Sequence, residues 1–229
     1  MSGVGSADAR SHVVPVLMLS VLSILVLVSW LLTPKGRPVV VVYGDSLTVQ
    51  SESAALSMHR GLRERVVFRA YGGTAMCDWV SQAAIDRVAL NPKRVVLAFT
   101  GNTATCAAAA FRSGGVAGVT GLYEVSLREM HAVFIGVPIT VVIPPAMHNL
   151  ENGWYPYNGN AALVAMYKRV GAELHMRINN RADDWLTPGH VFTATRPAYP
   201  HGPPVLVRLS DGVHLTPAGE LWYGAALLD

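Results

Sequence analysis

The chain has 229 residues, 51% of them apolar and only 14% charged, with a formal net charge of +3. That length suits one sizeable α/β domain and is short for two. The basic residues are scattered rather than striped, which argues against a nucleic-acid-binding surface.

Residues 1–12 are mostly small and polar and read as a disordered tail. Residues 13–32 (VVPVLMLSVLSILVLVSWLL) carry no charge, and a run of that length crosses a ~30 Å hydrocarbon layer as one helix. A cleaved secretory signal has a shorter apolar core, of ~7–15 residues, and ends in small residues. Here the run ends in Trp30-Leu31-Leu32, a better interfacial anchor than a peptidase site. The expectation is a retained single-pass signal anchor in the cell membrane. Arg10 on one flank and Lys35 and Arg37 on the other leave the positive-inside rule without a vote. A short N-terminal segment followed by a large domain nevertheless fits export of that domain. Residues 33–37 are a linker of at most ~20 Å, at ~3.5 Å per residue, and the domain runs over 38–229.

From there β-branched runs at Val39–Tyr43, Val66–Ala70, Val95–Phe99, Ile139–Ile143 and Val205–Leu209 predict strands. Helices are predicted over Ser51–Arg65, Asp78–Leu90, Leu122–Ile135, Ala161–Ile178 and Pro217–Leu228. Strands that are nearly all apolar, separated by helix-length segments, predict a parallel sheet of about five strands covered on both faces, a three-layer α/β/α sandwich. Asp184–Pro204, rich in Pro and Gly, reads as a long loop.

In such a sheet ligands bind beyond the carboxyl ends of the strands. The first strand ends in Gly44-Asp45-Ser46-Leu47 just before a helix. A serine on that turn has its hydroxyl at the sheet edge and its own N–H at a helix N-terminus, where developing negative charge is stabilised. Taken alone, Asp45-Ser46 serves equally as a helix N-cap. The second and third strands end in Gly72-Gly73 and Gly101-Asn102; both could be plain turns, or donors converging on an oxyanion. After the last predicted strand comes Asp211-Gly212-Val213-His214-Leu215-Thr216-Pro217. An acid three residues before a histidine in a loop can fix its tautomer, unless Asp211-Gly212 is a turn and His214 simply buried. Thr216 and Pro217 open a helix as cap and first residue. No His/Asp/Glu cluster supplies a metal site, and no cofactor is expected. Cys77 and Cys106 permit one disulfide in an exported domain, whereas in a cytosolic one they read as buried thiols.

In their order and content these blocks resemble the SGNH/GDSL hydrolases over the whole stretch from Val39 to the C-terminus. The resemblance implies a flavodoxin-like sandwich and hydrolysis or transfer of acyl esters. It makes Ser46 nucleophile and first oxyanion donor, Gly73 the second donor with Gly72 as alternative, and Asn102 the third. It makes His214 the base and Asp211 its orienting acid. The family often has Gly-x-Asn-Asp in its third block, and Thr103 stands here where that acid would be. The implied activity is a cell-envelope esterase working through an acyl-enzyme on a small ester or an acylated glycan. The alternatives are an O-acyltransferase acting on an envelope glycan and a binding protein that keeps the fold without the chemistry.

Overall fold

Four consecutive valines open the first strand, β1 (Val39–Gly44), and every residue of that strand is buried. Successive side chains of a strand point to opposite faces, so Val39, Val41 and Tyr43 enter one core, and Val40 and Val42 another. A strand with two apolar faces must be covered twice. The computed structural model, which describes residues 36–59, 63–148 and 160–229, meets that demand.

β2 (Arg65–Ala70), β3 (Arg94–Ala98), β4 (Ile139–Val142) and β5 (Arg177–Asn179) join β1 in a sheet of order β2-β1-β3-β4-β5. Every pairing in it is parallel, and that order is the flavodoxin-like winding. One face carries helices α2 (Val80–Ala89), α3 (Ala108–Val133) and α4 (Ala161–Glu173), which contribute Ala83, Tyr123, Leu127 and Tyr167 to its core. The other carries α1 (Ser46–Met58), α5 (Arg181–Leu186) and α6 (Pro217–Leu227), with Leu47, Ala182, Leu186 and Tyr223 beneath them. α1 and α6 touch closely at Gly224, where an added Cβ would lie 2.8 Å from the Ala55 nitrogen.

The fifth strand of the sheet differs from expectation. Val205–Leu209 does not enter it. Instead β7 (Pro204–Leu206) pairs antiparallel with β6 (Thr195–Pro197) in a separate two-stranded ribbon. Proline lacks the donor an interior strand needs, and both ribbon strands contain one. β5 fills the place instead, inside the stretch read as the end of a helix: α4 stops at Glu173, and His175 turns the chain at φ 54°. With only the residues Arg-Ile-Asn, β5 has no period to read.

Helix boundaries move as well. α1 begins at Ser46 rather than Ser51, because Asp45 caps it. α3 begins well before Leu122 and passes through Gly115, which breaks the helical geometry at φ 55°. The Asp184–Pro204 loop is part helix and part ribbon.

The expected tail and anchor lie outside the described residues. Among the described residues no helix is long and apolar enough to cross a membrane.

Candidate active site

At the carboxyl edge of β1 the backbone closes so tightly that Gly44 has no room for a side chain. A Cβ there would fall 2.0 Å from Thr48 Oγ1 and 2.9 Å from the Ala98 carbonyl. Asp45 follows, fully buried. Its Oδ1 accepts from the Leu47 N–H at 3.2 Å, capping α1, while Oδ2 accepts from the N–H and the hydroxyl of Thr100, both at 2.7 Å. One carboxylate thus ties the ends of β1 and β3 together. Burial pushes its pKa up to about 6 against those hydrogen bonds and the nearby His214. Ser46, half-buried, is then the first residue of α1.

The turn after β2 lies beside it. A Cβ on Gly72 would sit 3.9 Å from that of Ser46, and Gly73 takes the left-handed φ of +79°. Thr74 closes the turn, its hydroxyl donating to the Tyr71 carbonyl at 2.8 Å. After β3, the Asn102 side-chain amide donates to the Thr74 carbonyl at 3.1 Å, and the Tyr123 hydroxyl holds the Asn102 carbonyl at 3.2 Å. The turn that follows Gly72-Gly73 and the Gly101-Asn102 loop are therefore tied by one hydrogen bond. Beyond them, Cys77 and Cys106 form a disulfide with a Cα–Cα separation of 6.1 Å. Asp78 adds a second tie that the sequence reading did not single out. Its carboxylate accepts from the Ala75 N–H at 2.8 Å, the Cys106 N–H at 3.3 Å and the Thr105 hydroxyl. Its position next to Cys77 was the only available signal.

The histidine loop is built around its acid. Asp211 Oδ1 accepts from the N–H groups of Val213 at 2.8 Å and His214 at 2.9 Å. Its Oδ2 meets His214 Nδ1 at 2.5 Å. Partial burial opposes ionisation of Asp211, but the ring and the two N–H groups outweigh it and hold the carboxyl below its usual range. With Nδ1 donating to that carboxylate, Nε2 is left as the basic nitrogen. The loop is fastened to α1, where the Leu215 N–H donates to Gln50 Oε1 at 3.3 Å. Gln50 lies four residues after Ser46 and so on the same face of the helix.

Arg208, also not anticipated, anchors this loop from within. It is fully buried, and it donates to the carbonyls of Val213 at 2.8 Å and Ala146 at 3.0 Å. Among the described residues no group of three or more His, Cys, Asp or Glu could hold a metal ion. The loops after β1, β2 and β3 and the histidine loop are thus linked to one another, the last of them carrying an imidazole paired with its acid.

No family model matches the sequence, and no curated protein matches it. Solved structures do share its fold. A lipase/acylhydrolase from Enterococcus faecalis aligns with a TM-score of 0.58 at 18% identity, over 83% of this chain and 93% of its own. A GDSL-like lipase from Bacteroides thetaiotaomicron gives 0.59 at 15% identity, over 85% and 87%. An acetyl xylan esterase from Geobacillus stearothermophilus gives 0.56 at 15%, over 83% and 93%.

Proposed function

We propose that the chain is a serine-dependent carboxylic-ester hydrolase of the SGNH/GDSL type. Ser46 is its nucleophile, His214 its base and Asp211 the residue that orients the base. The observation that carries this reading is the Asp211–His214 contact on a loop fastened to the Ser46 face of α1. The shared fold with lipases, acylhydrolases and an acetyl xylan esterase supports it.

In the first step Ser46 Oγ bonds to the ester carbonyl carbon and its proton passes to His214 Nε2. The alcohol then leaves with that proton as the C–O bond breaks. In the second step water attacks the acyl-serine, gives its proton to Nε2, and the acid is released as Ser46 is re-formed. Negative charge on the carbonyl oxygen is met by the N–H of Ser46 at the start of α1, the N–H of Gly73 (Gly72 as alternative) and the Asn102 side-chain amide. Throughout, Asp211 stabilises the transient imidazolium. No step calls for a cofactor.

On the sequence, residues 13–32 hold the enzyme at a membrane with its catalytic domain outside the cytoplasm. The disulfide is in keeping with an oxidising compartment. Ser46→Ala tests the chemistry: it should abolish both cleavage of a short-chain aryl ester and labelling by a fluorophosphonate probe, with an unaltered circular dichroism spectrum. Turnover that survives the substitution sinks the reading.

A further inference from the structure

We propose that Arg208 is a positioning residue of this site, mounting the Asp211–His214 loop on the end of β4 and setting a buried cation behind its acid. The proposal rests on the acyl-transfer reading given above.

The physical oddity of Arg208 is its company. The guanidinium is wholly buried, and a buried cation is costly unless paired. Yet among the described residues no carboxylate lies within ion-pair distance of it. Its partners are two carbonyls, those of Val213 and Ala146, and its Nε has none. Val213 immediately precedes the base, and Ala146 lies just past the end of β4.

The β4 end is itself fixed. The Ala146 N–H donates to Thr187 Oγ1 at 3.0 Å, and that hydroxyl is bonded to the buried Asp183. A further link joins the His148 N–H to the Gly212 carbonyl at 3.2 Å. The planar fork of Arg208 therefore adds a two-pronged side-chain tie between two loops that this backbone hydrogen bond also joins. A lysine supplies one point charge where this geometry uses two separated donors.

The charge has a second effect. Burial lowers the pKa of Arg208 to about 10, so it remains a cation at neutral pH. Asp211 and Asp183 are close enough to favour that charge, as is the Tyr223 hydroxyl. By reciprocity the cation favours the Asp211 carboxylate. Among the described residues the groups facing the pair are Arg208, two residues after β7, buried Asp45 at the end of β1 and neutral Gln50 on α1. Of these, Arg208 alone is positive.

Comparing Arg208→Met, Arg208→Gln and Arg208→Lys with the wild type in the full-length chain separates positioning from mere support of the fold. The readout is the pH profile of kcat and kcat/KM on an aryl ester. Neutral Met and Gln should lower kcat by about 10- to 100-fold and move the acid limb up by about one pH unit. Lys should return the limb to its wild-type position while recovering only part of kcat. Should Met fail to fold, Gln and Lys carry the comparison. The proposal is overturned by an acid limb that stays put in the neutral variants, or by a limb that shifts equally in Lys. Ser46→Ala, assayed alongside, keeps the two levels apart. Turnover surviving there removes the acyl-transfer reading and this proposal with it; loss there with an unmoved limb in the Arg208 variants removes the role of Arg208 alone.

Discussion

Asp45 sits one residue before the proposed nucleophile, with three donors on its carboxylate and no solvent. Its folded pKa of about 6 lies above the unfolded 3.8. The native state therefore binds more protons between pH 4 and 6, and this group's contribution to stability falls as pH rises through that window, by about 3 kcal/mol at full ionisation. Asp45→Asn removes the slope. In urea titrations from pH 4 to 7, the stability gap between wild type and variant should narrow toward neutrality; a gap that widens contradicts the assignment. Asn102 presents a different division of labour. One of its amide hydrogens is spent on the Thr74 carbonyl, which leaves the other for an oxyanion. Asn102→Ala should lower kcat by ~10²–10³ with little change in KM. An unchanged kcat would reduce Asn102 to a tie between loops.

Among the elements, the turn after β1 is the least forgiving. Gly44→Ala drives a methyl group into Thr48 and the Ala98 carbonyl, and overpacking of that kind costs about 1–3 kcal/mol. The urea midpoint should drop, and kcat with it, because Ser46 moves with the turn. The strands legible in the sequence were those with long β-branched runs, β1 through β4. β5 escaped because three residues have no period, and its place in the sheet is decided by pairing with Thr140–Val142. β7 misled for the opposite reason: its valine and leucine look like a strand, but Pro204 keeps it out of the main sheet's interior. α3 was half hidden because Gly114, Gly115, Gly118 and Gly121 weaken its helical signal while tertiary packing holds it together.

On the scale of the whole molecule, β1 couples two cores, and side chains crossing between elements make them one unit from Pro38 to Asp229. Buried Asp86, on α2, accepts from the Tyr43 hydroxyl on β1 and from Arg69 on β2. Asp86→Ala strands both partners, and losing one side of such a cluster costs about 3–5 kcal/mol. Near- and far-ultraviolet dichroism should still report one coincident, lowered transition. Of the candidate site, Ser46, Gly73, Asn102, Asp211 and His214 could be singled out from their motifs. The residues that hold them, Asp78, Arg208 and Gln50, could not. Each works through a backbone group or a loop far away in the chain, and no spacing rule records that.

The Cys77–Cys106 bond, across a sequence separation of 29, fastens together the two loops that carry the proposed amide donors. Replacing both cysteines by alanine should cost about 3–4 kcal/mol, and dithiothreitol should depress kcat more than KM. A newly made chain among reducing thiols has those loops unfastened. If the fastening sets the spacing of the donors, ester cleavage begins only after oxidation, and the esters of the compartment where the chain is synthesised are spared.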